Sequence, residues 1–364
     1  MIQTILMLAY RRPIGALARR FGCPNVQDRQ GPMIATPVFE SYWRFAAERQ
    51  AIYFRRMSNP VGPWTNDPIL STFRFTNAYR ASDRVSQYLI REIQYHPDRS
   101  PRPSEVFFRT ILFKLFNRVE TWEELERRCG PMIWDRVDLG VLAITLDRIM
   151  DRGGKLYSAA YIMPSPAFGH KRKHANHLAL LARMMDDRLP DRICQAPSLR
   201  DIYALLASYP GIGPFLAFQY AIDLNYAAFL DHKESEFVVA GPGAADGIAK
   251  CFTDTGGRSA EEVINWVCER QEEAFRSAGI EFQTLFGRRL QPIDCQNLFC
   301  EISKYARVAH PHVRGLTGRT RIKQLFRQAA EPLPRPMFPP RWGLRTPDSP
   351  APAKASDERV GLFA

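Results

Sequence analysis

The 364-residue chain lacks the long uninterrupted apolar run that a membrane span requires. Its opening segment, MIQTILMLAYRRPIGALARRFG, stays apolar for only about eight residues before Arg11 and Arg12, and no small-residue cleavage site follows cleanly. Secretion and membrane insertion are therefore not expected, and the chain reads as a cytoplasmic-type protein. Its seven cysteines, Cys23, Cys129, Cys194, Cys251, Cys268, Cys295 and Cys300, match no zinc or iron-sulfur spacing. An odd, scattered set points to reduced thiols. Acid is also in deficit: 38 Asp and Glu stand against 50 Lys and Arg, a net +12 that must appear as positive potential somewhere on the surface. No internal repeat is evident. What remains is a chain 45% hydrophobic, ample for one large core or two intimate ones.

Helical periodicity dominates. Apolar positions recur at helical spacing in VFESYWRFAAERQAIYFRRMS, which stops before Asn59-Pro60, and Asp83, Val85, Tyr88, Leu89 and Ile93 suggest a second long helix. SEVFFRTILFKLFN and ETWEELERR follow, the latter with Thr121 as the expected N-cap. VDLGVLAITLDRIMDRG ends at Gly153-Gly154, and KLYSAAYIM reads as a short β-like piece. Further helices are expected in KRKHANHLALLARMMDDRL, SLRDIYALLASYP, PFLAFQYAIDLNY and AADGIAKCF, and in the Ser259-capped SAEEVINWVCERQEEAFRSAG. DCQNLFCEISKYARV with TGRTRIKQLFRQAA forms the expected last ordered unit. The organisation is an N-terminal extension (1–35), a helical body (36–330) with a helix-hairpin-helix near 201–223, and a proline-rich tail (331–364) that is extended or disordered unless Met337, Phe338 and Trp342 dock on the body.

Tyr209-Pro210-Gly211-Ile212-Gly213, between two helices, is the most informative short motif. Its two glycines permit a tight turn, and amides at the start of the next helix can meet a DNA phosphate without reading a base. Pro214 subtracts one donor. A plain helix-helix turn is the alternative. Hairpin and flanking helices resemble the helix-hairpin-helix DNA glycosylases, whose catalytic aspartate follows the hairpin by about twenty residues. Asp231 stands nearest that interval in this chain.

A broader resemblance runs from about Phe39 to Arg327. Pro63-Trp64-Thr65, Arg74-Phe75-Thr76-Asn77, Tyr79-Arg80, Asp83-Arg84, Arg109, Phe116-Asn117-Arg118, the hairpin, Asp223-Leu224-Asn225-Tyr226, Gly241-Pro242-Gly243 and Asp294 to Tyr305 occur in the order of one family. The chain resembles the phage alpha-glutamyl/putrescinyl thymine pyrophosphorylases, or amino acid:DNA transferases, related to the helical domain of hydroxymethyluracil DNA kinases. This resemblance implies a mainly α, glycosylase-like helical fold with elaborations. It also implies that the amine of an amino acid or polyamine replaces a phosphate or pyrophosphate on 5-hydroxymethyluracil in double-stranded DNA. A separate kinase would act upstream, and the product would be a hypermodified thymine that protects phage DNA from restriction. The chain has no G-x-x-x-x-G-K-[ST] loop and is not expected to supply the kinase activity itself. Neither a cofactor nor a metal is expected.

Such a transfer needs an acceptor for the ammonium proton, cations for the departing phosphate and a pocket for a flipped uracil. On a helix, Asp294, Asn297, Glu301 and Lys304 share one stripe, which is either functional or a solvated Glu301–Lys304 pair. Arg74, Arg80, Arg109 and Arg118 are the candidate phosphate cations. Arg109 and Arg118, set within apolar helices, stand out because an unpaired buried guanidinium is costly. Asn77, Asn117, Asn225 and Asn297 are candidates to read the uracil edge, with helix capping the alternative for each. Trp64, Tyr79 or Tyr226 could stack on the base, while Asp223 and Tyr305 complete the substrate set. Gly211, Ile212 and Gly213, together with Gly241 and Gly243, are the expected DNA contacts, a rigid helix entrance being the alternative for the second loop. His170, His174 and His177 imitate a metal site, but without a nearby acid they read as a basic DNA-facing helix; Arg314, Arg319, Arg321, Lys323 and Arg327 form a second backbone patch.

Overall fold

The computed structural model describes residues 31–160, 163–328 and 333–346. The fold is mainly α-helical, with a two-stranded antiparallel sheet pairing β1 (Ile34–Ala35) with β2 (Phe252–Asp254). A single hydrophobic cluster extends from Val38 to Phe338. No helix among the described residues is long and apolar enough to cross a membrane.

Helix α1 (Pro37–Ser58) begins at Thr36, whose side chain accepts the Val38 N–H, and Pro37 at its first position has no N–H to leave unpaired. It buries Val38, Tyr42, Phe45, Arg49 and Ile52 along one stripe. The expected second long helix is broken up. A short α2 (Pro68–Thr72) gives way to irregular chain, a 3₁₀ turn (Arg80–Ser82), α3 (Arg84–Tyr88) and a wide π-type turn (Leu89–Gln94). Side-chain bonds to the backbone of 75–83, described below, compete there with helical bonding.

Two helices form the centre. In α4 (Pro103–Phe116) every residue from Glu105 onward is buried, and α10 (Pro214–Asn225) buries Leu216 through Asn225. Apolar residues run round all sides of both, which places them inside and obliges the polar groups among them to be paired. Around them pack α5 (Val119–Cys129), α6 (Leu139–Asp151), α7 (Lys173–Asp186), α8 (Leu189–Cys194) and α9 (Leu199–Ala207). Thr121 is not the α5 N-cap. Arg118 holds that position, and the Thr121 hydroxyl donates to the Leu156 carbonyl. The described part of KLYSAAYIM is irregular rather than a strand, because its bonds go to side chains and to the end of α4.

The other wall is α11 (Pro242–Cys251) against α14 (Pro292–Ala309), with α12 (Ala260–Glu269) and α13 (Gln271–Ser277) beside them. Gly247 permits the crossing: a Cβ there would sit 1.9 Å from the Phe299 carbonyl oxygen. The expected unit TGRTRIKQLFRQAA is not helical where it is described. Residues 310–328 form an extended strap, bridged at Leu325 to Phe73. Of the tail, 333–346 docks as envisaged: Phe338 is 7% exposed, and the Arg288 guanidinium lies 3.7 Å from the Trp342 ring centroid.

Candidate functional site

The irregular segment 75–83 is held by charged groups from two helices. From α1, Arg49 donates through Nε to the Thr76 carbonyl at 2.9 Å and through a terminal nitrogen to Asn77 Oδ1 at 3.0 Å. From α14, Glu301 accepts the Thr76 N–H at 3.1 Å and Asp294 accepts the Arg80 N–H at 2.8 Å. These acids stand two helical turns apart on one stripe, as expected, and both are spent on backbone amides. Asp83 closes the loop by accepting the Asn77 N–H, while the Asn77 amide donates to the Ser82 carbonyl. Asp294 also completes a capping box with Gln291. Burial raises its carboxyl to about 7, against the pull of its two backbone N–H bonds. The same cause lifts Asp83 to about 6.

Below this loop lies a closed charge network. Arg80 binds Asp223 at 2.7 Å and Gln219 Oε1 at 3.0 Å, and its guanidinium stands 5.8 Å from the Tyr226 ring centroid. The second Asp223 oxygen is 3.1 Å from Lys114, which donates to Asn117 Oδ1 at 2.6 Å. Asn117 ends α4 in the left-handed conformation, φ 50°, and passes the chain of bonds to Ser158. Gln94, carried by the wide turn, donates to the Asp223 carbonyl at 2.8 Å. Two cations hold the Asp223 carboxyl below its usual range despite burial, and burial pulls Lys114 down. The structure thus joins Arg80, Asn117 and Asp223, but within the core: none exceeds 3% exposure.

Other expected residues lie elsewhere. Arg109, 1% exposed, donates to the carbonyls of Ile93 and Ser100, so its guanidinium braces the chain ahead of α4 instead of offering a phosphate face. Asn225 bonds both ways with the His232 backbone, and Tyr305 donates to Asp67, the cap of α2. Lys304 pairs with Glu301 at 2.6 Å at the edge of solvent, where Asn297 on the same face is half-buried. Arg74 is exposed, and its backbone N–H donates to the Gln324 carbonyl of the strap. Trp64 and Tyr79 are also committed, to the Asn59 and Arg288 carbonyls.

At the hairpin, Gly211 has φ +80°, the conformation that favours glycine, and Ile212 is buried. Pro210, Gly213 and Pro214 are exposed, and Gly213 caps α10 without a side-chain bond, leaving the turn open to solvent. The second glycine loop sits between the start of α10 and α14: a Cβ on Gly241 would lie 2.6 Å from the Phe215 ring, and one on Gly243 2.8 Å from Cys300 Sγ. Asp231 is exposed and ion-paired with Arg341 at 3.1 Å.

The histidines of α7 do not face outward. His174 stands 3.1 Å from Asp147, and His177 is held between the Tyr157 hydroxyl and the Pro164 carbonyl, with burial lowering it to about 4. Among the described residues no cluster of His, Cys, Asp and Glu could hold a metal. The strap is different. Arg319, Arg321, Lys323 and Arg314 line it together with Arg327, and no acid occurs between residues 310 and 328. Thr317 anchors it by donating its N–H at 2.6 Å to Asp246, whose carboxyl falls to about 2: hydrogen bonds from Ser303 and Thr317 and the Lys250 cation outweigh its burial.

Residues 36–315, which include the glycine turns, the charge network and α14, match the family described as the 5-hmdU DNA kinase, helical domain. The chain belongs to this family. The 5-hmdU DNA kinase of Bacillus phage SP10 is 24% identical over 299 residues, 77% of this chain and 47% of that protein. The chain therefore spans about half the length of that relative. No solved structure matches. Most of the strap, with the docked tail, lies beyond the matched residues.

One cleft escaped the sequence reading. It lies between α5 and α6 and brings Arg118 together with Arg128, Arg148 and Arg152. The signal available was the Arg148, Arg152 spacing of one helical turn just before Gly153-Gly154.

Proposed function

We propose that the chain is an amino acid or amine:DNA transferase acting on 5-(pyro)phosphomethyl-deoxyuridine in double-stranded DNA. The bond from the 5-methylene carbon to phosphate oxygen breaks, a carbon–nitrogen bond forms, phosphate or pyrophosphate departs, and the amine loses its proton. The reading is carried by the family match over 36–315 in a chain with no G-x-x-x-x-G-K-[ST] loop. Within the matched residues 36–315 no such loop occurs, so this helical part fits a step on the modified base better than nucleotide binding.

The acid-free strap and the open hairpin turn supply sequence-independent phosphate contacts. In this reading Asp294 and Glu301 are positioning residues, because their oxygens hold the 76–80 segment. Asn297, Lys304 and Arg118 reach solvent and are the better candidates to touch substrate. Base excision centred on Asp231 has less in its favour, since that carboxylate is exposed and bound by Arg341.

The test is nucleoside mass spectrometry of kinase-treated hydroxymethyluracil DNA incubated with the chain and glycine, glutamate or putrescine. Nucleosides carrying the added amine in place of the (pyro)phosphate, with release of phosphate or pyrophosphate, are expected. Free base and abasic sites would establish excision instead. Unchanged nucleosides on DNA that is nonetheless bound would leave a non-catalytic DNA-binding component.

A further inference from the structure

The cleft between α5 and α6 has a volume of about 270 Å³. This is near the lower limit of small-molecule pockets, too small for a nucleotide within a duplex and large enough for one or two phosphate groups. Four arginines and two glutamates line it. Both acids are already neutralised: Arg118 lies 3.1 Å from Glu120, and Arg127 and Arg128 bind Glu124, whose carboxyl their hydrogen bonds hold below its usual range. Arg148 and Arg152, the remaining cations of the wall, have no carboxylate within 4.0 Å and no side-chain hydrogen bond among the described residues.

Placing like charges one turn apart on a helix is mildly destabilising unless an anion lies between them. Proximity to the negative end of α6 offsets part of that cost, since both sit in or just past its last turn. It does not account for their sharing a concave wall with Arg118. The following turn of chain is also shaped for closeness: a Cβ on Gly154 would stand 2.7 Å from the Ile149 carbonyl oxygen.

We infer that Arg148 and Arg152, with Arg118, form a binding site for a small phosphate oxyanion, inorganic pyrophosphate being the member of that class that best fills the cleft. Guanidinium forks grip such oxygens in pairs and stay charged throughout the physiological range. The site follows from this cleft alone and does not depend on the transferase reading.

Calorimetric titration of the full chain with sodium pyrophosphate, inorganic phosphate and sodium glutamate, at constant ionic strength, tests it. One-to-one binding is expected, tightest for pyrophosphate. It should weaken roughly tenfold or more in the double variant Arg148→Ala, Arg152→Ala, whose circular dichroism and melting remain those of the parent. The Arg→Lys pair should recover only part of the affinity, because a lysine is a point charge without the fork. Competition by a short duplex would identify the phosphates as those of a DNA backbone, and its absence as those of a free ion. No saturable heat with pyrophosphate, or equal affinity in the double variant, would overturn the assignment. Neither readout requires turnover, so failure here and failure of the transferase reaction are distinct.

Discussion

Asp294 and Arg80 meet through the backbone: Asp294 Oδ1 accepts the Arg80 N–H at 2.8 Å, while the Arg80 guanidinium turns the other way to Asp223. One residue therefore couples the amino-terminal turn of α14 to the last turn of α10. The polar positions that stood out in the sequence form this joint between helices, and that makes them sensitive to substitution whether or not they touch substrate.

Asp223→Ala leaves Arg80 and Lys114 facing each other in the core without their carboxylate. Removing one partner of a buried ion pair typically costs about 3–5 kcal/mol. Urea unfolding should register a loss of that order, whereas Arg183→Ala, which breaks an exposed pair with Asp187, should cost less than about 1 kcal/mol. Equal losses would mean that the network is not closed as described.

The raised Asp294 carboxyl has a definite sign in the pH dependence. Its folded pKa of about 7 lies above the ordinary 3.8, so the folded state binds the proton more tightly. The resulting stability is fully present below about pH 4 and is lost as pH rises through 7. Asp83, raised to about 6, acts in the same direction, while Asp246, lowered to about 2, contributes above pH 4 and loses its contribution as pH falls towards 2. Asp294→Asn should be less stable overall, having one acceptor fewer, but should show a shallower decline between pH 4 and 7 in a series of melts. An unchanged slope would remove Asp294 as its source.

Replacing Arg319, Arg321, Lys323 and Arg327 together by alanine should weaken duplex binding uniformly across sequences. The slope of log K against log salt should fall by roughly 0.9 for each phosphate that these cations no longer neutralise. Fluorescence anisotropy at several salt concentrations measures this, and because the strap is a surface segment the melting temperature should barely change. A sequence-dependent weakening with no change in slope would argue against a backbone-binding strap.

Trp342→Ala removes the ring that lies under Arg288 and edge-on to Tyr226 at 5.7 Å. The cation–π and aromatic contacts are worth about 1–2 kcal/mol together. Limited proteolysis should cut the 333–346 segment markedly faster in the variant, with the helical body intact. Equal cutting rates would show that Arg341, bound to a carbonyl just past the end of α10, holds the segment by itself.

What the sequence determined by itself was local. Helical period, the Ser259 cap and the stops at Asn59-Pro60 and Gly153-Gly154 were legible because capping and amphipathic spacing act over a few residues. The glycine turn at 211–213 was legible for the same reason. Tertiary contacts decided the rest. Residues 75–83 lead into a helical pattern, yet Arg49, Glu301 and Asp294, which come from distant stretches of chain, take their backbone groups instead. Arg109 and Arg118 look alike in sequence, but one braces carbonyls in the core and the other lines a cleft. Charge on a side chain is a property of the residue, whereas the partner that neutralises it is a property of the fold.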